Sequence, residues 1–247
     1  MYDQLKSLAK KWLPPGLLRR FEPQLRALVT LKYLGKNHRC NCCGTRLSTF
    51  IALERGDDLC PRCGSLPRSR RLWRLLSRFD LRGQRVLHFS PPRALADRLR
   101  GASLGQYVTT DFEDEFLADE RYDITNLDLP DDSFDLIICY HVLEHIPDDR
   151  TAMAELYRVL APGGLGLIQT PFREGETYED PTITDAAGRL AAFGQEDHVR
   201  VYSVAGLSER LRAAGFTVEP RRYPGDEFYG WRDGETVIWA RKRGGDV

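Results

Sequence analysis

No stretch of this sequence is apolar for long enough to cross a bilayer. The opening residues, Met1-Tyr2-Asp3-Gln4-Leu5-Lys6, contain no apolar core of a secretory signal. These two absences make a cytoplasmic protein the expectation. Net charge is absent too, because 36 Lys and Arg offset 36 Asp and Glu. That balance conceals an asymmetry. Residues 1–79 hold 17 basic and 5 acidic side chains, whereas residues 80–247 hold 19 and 31. A basic front is joined to an acidic body of opposite charge. Such halves tend to dock on each other, and a basic front also attracts phosphates or anionic lipid. The 247 residues, 42% of them hydrophobic, suffice for one ordinary domain and a small appendage.

Six cysteines, five of them clustered, in a chain without an export signal point to metal rather than to disulfides. Cys40-Asn41-Cys42-Cys43-Gly44 and Cys60-Pro61-Arg62-Cys63-Gly64 are two C-x-x-C-Gly units with 16 residues between them. A C-x-x-C turn aims two thiolates at one point, the following Gly supplies the tight backbone, and two such turns complete a tetrahedral zinc site. The expected ligands are Cys40, Cys43, Cys60 and Cys63, with Cys42 a bystander. Four protein donors leave no position for water, so this zinc is expected to be structural. A ribbon this small cannot bury a core of its own, and chelation should unfold residues 36–64.

Residues 2–34 have helical periodicity around a Pro14-Pro15-Gly16 break. Leu18, Phe21, Leu25, Leu28 and Val29 lie on one face, and lysines and arginines line the others. This predicts amphipathic helices packed against the acidic body, with peripheral contact to a membrane surface as the alternative. After the ribbon, Leu72, Leu75, Leu76 and Phe79 recur at helical spacing. Arg68, Arg70, Arg71, Arg74 and Arg78 cover the other faces, which predicts a connecting helix with a solvated or phosphate-facing arginine side.

From residue 84 strands and helices alternate. Strands are expected at 85–89, 106–110, 122–124, 134–139, 165–170, 216–218 and 236–240, the fourth apolar on both faces as in a central parallel strand. Ser90 and Pro91 suit the start of a helix. Helices are expected over 148–160 and from Ser203 to Gly215. Repeated βα units predict a doubly wound α/β sheet. Glycine is missing from His88-Phe89-Ser90-Pro91-Pro92, which excludes a dinucleotide fingerprint, because a pyrophosphate needs close backbone approach.

Three segments in order carry a resemblance. They are Asp123-Ile124 ahead of Leu129-Pro130-Asp131-Asp132-Ser133-Phe134-Asp135, then Val142-Leu143-Glu144-His145-Ile146, then Leu156-Tyr157-Arg158-Val159-Leu160-Ala161-Pro162-Gly163-Gly164. Over about residues 84–240 the chain resembles class I S-adenosylmethionine (SAM)-dependent methyltransferases of the methyltransferase-11-like type, here with an N-terminal zinc ribbon. The resemblance implies a Rossmann-like, seven-stranded sheet with SAM as cofactor. It implies ribose contacts from Asp111, with Phe112 beside it, and adenine contacts from Asp123 and the backbone of Ile124. Tyr140 and His141 would line the methionine and methyl side. Phe89 and Ser90 stand where the family has an acidic, Gly-rich loop, so the contact to the SAM amino group lacks its usual acid.

The expected organisation is N-terminal helices over 1–36, a zinc ribbon over 37–66, a connecting helix over 67–83 and a methyltransferase domain over 84–247. Segment 171–202 would be a substrate lid, because so long a polar connection is uncommon without a function. His198, beside Asp197, and His141 are the candidate general bases; His145 and Glu144 read as helix-entry residues. The expected activity is methyl transfer to an O or N atom of a small molecule such as a sugar or natural product. A ribosomal or transfer RNA methyltransferase holding RNA with the basic front is one alternative, although the front has few aromatics for stacking and Cys139-Tyr140-His141-Val142 lacks the Asn/Asp-Pro-Pro-Tyr pattern of base methylators. An inactive zinc-ribbon/SAM-fold binding protein is the other.

Overall fold

The computed structural model describes residues 15–54, 56–113 and 116–244. The helix expected ahead of Pro14 lies outside the described residues. The chain forms two compact units. One comprises the chain up to Leu81 together with Pro92–Gly101 and Tyr223–Glu235; the other comprises Arg82–Pro91, Ala102–Arg222 and the chain from Thr236 onward.

In the first unit, helix α1 spans Pro15–Leu31. Strands β1 (Leu34–Arg39) and β2 (Arg46–Leu47) form one antiparallel hairpin, and β3 (Ile51–Ala52) and β4 (Asp58–Leu59) form another. Helix α2 is Pro67–Leu76 and α3 is Arg93–Arg100. Phe21, Leu25, Leu28 and Leu31 of α1 are exposed, so this stripe is not the packed face that its periodicity predicts.

Helix α2 departs further from its sequence reading. Arg70 and Arg71 are buried rather than solvated. Arg70 donates to the carbonyls of Asp58, Ser65, Tyr229 and Gly230, and its guanidinium lies 4.1 Å from the Phe50 ring centroid. Arg71 donates to the carbonyls of Pro224 and Arg232 and faces the buried Glu235 at 3.5 Å. A buried guanidinium needs acceptors for its rigid fork of donors. Most of those acceptors come from 223–235, a segment more than 150 residues away in sequence, which no local pattern could announce.

The second unit is built on a six-stranded sheet: β5 (Arg85–Phe89), β6 (Gln106–Thr110), β7 (Phe134–Tyr140), β8 (Leu160–Gln169), β12 (Thr217–Tyr223) and β13 (Glu235–Arg241). Their order is β12-β13-β8-β7-β5-β6. The central strands run parallel and β13 runs antiparallel to β8. Helices α4 (Asp149–Val159) and α6 (Val204–Ala213) supply Met153, Leu156, Leu207 and Leu211 to one core with Leu87, Phe134, Ile137 and Ile238. Asp148 caps α4 by accepting from the Thr151 N–H, and Ser203 caps α6 by accepting from that of Gly206.

The expected seventh strand at 122–124 is not formed. It is reduced to a single parallel bridge between Glu120 and Thr110. The reason is local. The Asp123 carboxylate accepts from both the N–H and the hydroxyl of Thr125, which turns the chain where a strand would continue. The strand expected at 165–170 begins earlier, at Leu160, directly after α4. The Pro162-Gly163-Gly164 turn therefore sits inside β8. A side chain at Gly164 would meet the Ala161 carbonyl at 2.7 Å, which requires glycine there.

Segment 171–202, expected as a lid, is partly ordered into β9 (Phe172–Arg173), β10 (Tyr178–Glu179), helix α5 (Ala186–Phe193) and β11 (Arg200–Ser203). The three strands make a small sheet in the order β10-β11-β9.

His88 lies fully buried in β5, with Nδ1 2.9 Å from the Tyr107 hydroxyl, and burial pushes its pKa down to about 3. Below its ordinary value of 6.5 the unfolded chain takes up a proton that the folded chain refuses. Stability present above pH 6.5 is therefore lost as pH falls toward 3, by up to about 1.4 kcal/mol per pH unit. Urea unfolding between pH 7 and pH 4 should show that this slope is shallower in His88→Leu than in the native chain.

Candidate active site and zinc centre

The two cysteine turns fold alike. The Cys40 N–H donates to the Thr45 carbonyl and the Gly44 N–H to the Cys40 carbonyl; Cys60, Ser65 and Gly64 repeat the arrangement. Gly44 and Gly64 have φ of 78° and 74°, the left-handed backbone that favours glycine. The Sγ atoms of Cys40, Cys43, Cys60 and Cys63 all lie within 4.8 Å of one another. Cys40 and Cys63 are 3.7 Å apart, and Cys43 and Cys60 are 3.8 Å apart. A tetrahedral ion about 2.3 Å from each sulfur needs a sulfur–sulfur edge of about 3.8 Å, so the donor set fits Zn2+. The buried Arg70 guanidinium and the Ser65 hydroxyl, 3.2 Å from Cys40 Sγ, would balance the thiolate charge around such an ion. Cys42 points elsewhere, toward the Ser69 carbonyl.

In the second unit the chain runs from β5 to β6 on one side and later to β7 on the other. The strand order therefore reverses between β5 and β7. In open α/β sheets ligands bind beyond the carboxyl ends of strands at such a switch point. Ser90 and His141 follow β5 and β7 and flank that position. Both are non-glycine residues held at positive φ, 45° and 55°. Backbone strain of this kind persists only where surrounding contacts enforce it, and it concentrates at functional sites.

Ser90 does not cap the next helix as expected. Pro92 occupies the cap position of α3 without a side-chain bond. The Ser90 hydroxyl instead donates to Asp111 Oδ1 at 2.7 Å, and the Phe116 N–H donates to Oδ2 at 3.0 Å. Asp111 is thus buried and oriented at the end of β6, with further lone pairs on each oxygen. Phe89 and Ile124 are packed in the core, which leaves their backbone rather than their side chains for a ligand. Phe112 is exposed, its carbonyl accepting from Arg121. Asp123 is held by Thr125 as described. Tyr140 is buried at the end of β7.

The most concentrated chemistry follows Tyr140. The His141 N–H donates to the Gln169 carbonyl, and its Nδ1 lies 3.2 Å from Glu144 Oε1. Glu144, only 1% exposed, occupies the short turn Leu143–His145. His145 Nδ1 is 3.1 Å from Asp197 Oδ2, and its ring packs edge-on against that of His198 at 4.7 Å. Asp197 therefore pairs with His145 rather than with the adjacent His198. His198 is buried, with Nδ1 3.3 Å from the Phe193 carbonyl, and burial holds its pKa below the ordinary imidazole value. The structure thus brings His141 and His198 to one cluster. It adds Glu144 and His145, which the sequence placed at the strand end but which read there as helix-entry residues.

A buried network fixes this cluster. The Val199 N–H donates to the Glu144 carbonyl. Arg200 donates to the carbonyls of Leu143, Ile146 and Pro147 and to Glu179. Arg210 pairs with Glu179 and Asp149, and the Tyr202 hydroxyl donates to Asp149. The Arg210 guanidinium, aided by Arg200, holds the Glu179 carboxyl at about 2, below its ordinary value.

A Methyltransferase domain family matches residues 70–220, more than half of the chain. The chain belongs to the class I SAM-dependent methyltransferase family. It is 38% identical over 96 residues to a probable S-adenosylmethionine-dependent methyltransferase of Mycolicibacterium smegmatis, covering 39% of this chain and 34% of that one. It is 31% identical over 85 residues to a ubiquinone biosynthesis O-methyltransferase of Psychrobacter arcticus, covering 34% and 33%. The matched part is thus about a third of the length of these curated relatives. Among solved structures, an S-adenosylmethionine dependent methyltransferase from Mesorhizobium loti superposes with a TM-score of 0.50 at 18% identity, over 71% of this chain and 98% of that one. This likeness shows the methyltransferase fold. Among the described residues no helix is long and apolar enough to cross a membrane.

If the cysteine cluster is a structural zinc centre, elemental analysis of the purified methyltransferase should find about one zinc per chain. Replacing Cys60 by Ser should abolish that zinc and expose the amides of 36–64 to rapid hydrogen exchange, because the fold of this segment draws on metal-binding free energy of about 10 kcal/mol or more.

Proposed function

We propose that the protein transfers the methyl group of SAM to an oxygen or nitrogen atom of a small polar molecule, and that oxygen is the favoured acceptor. The observation that carries this reading is the cluster His141, Glu144, His145 and His198 beyond the end of β7, beside the strand switch point. Family membership supports SAM as the donor, and one relative's name, ubiquinone biosynthesis O-methyltransferase, is consistent with an oxygen acceptor.

The chemistry of the residues beyond β5, β6 and β7 supports SAM as the ligand. Asp111 is a buried, preoriented carboxylate able to accept from both ribose hydroxyls. Asp123 and the Ile124 backbone would face the adenine, and Tyr140 and His141 the methionine side. Bound SAM would supply an electrophilic methyl carbon on a sulfonium. The strained backbone at Ser90 and His141 holds the two walls in position before any ligand arrives, which lowers the ordering cost of binding. Methyl transfer needs alignment of acceptor and donor above all, together with a base when the acceptor is a hydroxyl. His198 is a suitable base, since burial keeps its imidazole neutral near pH 7. His141, paired with Glu144, is the second candidate.

Burial of Arg70 and Arg71 weighs against RNA as the acceptor, because it removes two cations from the basic front as a phosphate-binding surface. The zinc unit is then a structural module.

Titration calorimetry is expected to detect S-adenosylhomocysteine binding. Asp111→Ala should weaken that binding at least tenfold, since bonds to a charged acceptor are worth about 1.5–3 kcal/mol each. Asp123→Ala, at a more accessible position, should weaken it less while leaving the melting temperature unchanged. Absence of binding by the native chain would reject the proposal in favour of an inactive fold. A screen of metabolite extracts with methyl-labelled SAM then identifies the acceptor.

A further inference from the structure

We propose that Glu144, His145 and His198 form a binding site for one divalent first-row transition-metal cation, distinct from the cysteine cluster. One ligand atom from each residue lies within 4.8 Å of the others, so a single ion can reach all of them. Two imidazoles and one carboxylate are a donor set suited to Mn2+, Fe2+, Co2+ or Zn2+, and they leave coordination positions open.

The partners of these side chains point the same way. Glu144 is buried, yet neither carboxylate oxygen accepts a hydrogen bond among the described residues; His141 Nδ1 lies 3.2 Å from Oε1 without hydrogen-bond alignment. A carboxylate removed from water ordinarily finds donors or a cation. His198 is 3% exposed and its Nε2 also has no partner. Its Nδ1 faces the Phe193 carbonyl at 3.3 Å, a contact that places the proton on Nδ1 and leaves the Nε2 lone pair bare. His145 turns Nδ1 to the Asp197 carboxylate at 3.1 Å, which prepares its Nε2 in the same way. Ligating histidines characteristically turn their other ring nitrogen to a carbonyl or a carboxylate, as His198 Nδ1 does toward Phe193 and His145 Nδ1 toward Asp197.

The network described above gives the cluster rigidity. The Val199 N–H and the Arg200 guanidinium tie segment 198–200 to the turn that carries Glu144 and His145. His141, with an unpartnered Nε2, borders the site on its donor-facing side. A cation held here would bind an acceptor hydroxyl and favour its oxyanion, with His198 then a ligand and His141 the base. That consequence rests on the methyl-transfer reading; the metal site itself does not.

The test uses the full-length, zinc-loaded protein and Mn2+ alone, because a thiolate site discriminates against Mn2+ whereas nitrogen and oxygen donors accept it. Electron paramagnetic resonance of free Mn2+ should report one ion bound per chain. Glu144→Gln and His198→Ala should each weaken it at least tenfold with zinc content unchanged. His145→Ala, at a partly exposed position, gives the same reading should the buried variants fail to fold. If Mn2+ does not bind, or binds equally well to all folded variants, and Co2+ and Zn2+ likewise show no second site in the native chain, the proposal is overturned. Because these measurements are made without SAM, they are independent of S-adenosylhomocysteine binding. A native chain that binds S-adenosylhomocysteine but takes up no Mn2+, Co2+ or Zn2+ at a second site would reject the metal site alone.

Discussion

One buried guanidinium organises the candidate active site. Arg200 donates to the carbonyls of Leu143, Ile146 and Pro147, residues 53 to 57 positions earlier in the chain, and to the carboxylate of Glu179. A charge in this position is tolerated only because its donors meet acceptors, and the turn after β7 exposes unpaired carbonyls that need donors. Each side satisfies the other. The bond from the Val199 N–H to the Glu144 carbonyl completes the closure. His198 is thereby brought to Glu144 and His145, and residues with no sequence proximity become one chemical group.

The unit that holds the four-cysteine cluster uses the same device. Arg70 collects four backbone carbonyls, from Asp58, Ser65, Tyr229 and Gly230. It joins the second cysteine turn to the segment between β12 and β13. Planarity and five fixed donors suit arginine to this task, and a lysine could not reproduce it. The neighbouring thiolates favour the guanidinium charge while burial opposes it.

Strain and electrostatics converge beyond the carboxyl ends of β5 and β7. Ser90 gives its hydroxyl to Asp111, and His141 gives its N–H to the Gln169 carbonyl; each bond repays part of the cost of a left-handed backbone.

Features governed by short-range patterns were readable in the chain itself. The paired C-x-x-C-Gly turns, the apolar β7, the Asp148 and Ser203 caps and the order of βα units depend on neighbours a few residues apart. The third family strand was not, since the bonds from Thr125 to Asp123 turn the chain there. The arginines of α2 have a charge pattern typical of a solvated face, and only distant carbonyls bury two of them. Asp197 stands next to His198 in sequence yet meets His145 in space, because adjacency in sequence says little about direction. The sequence by itself determined the four clustered cysteines, the strand that ends at Tyr140, and the acids at 111 and 123. Only the tertiary structure decided that Glu144, His145 and His198 meet, because that meeting rests on Arg200 and Val199 finding carbonyls more than 50 residues away.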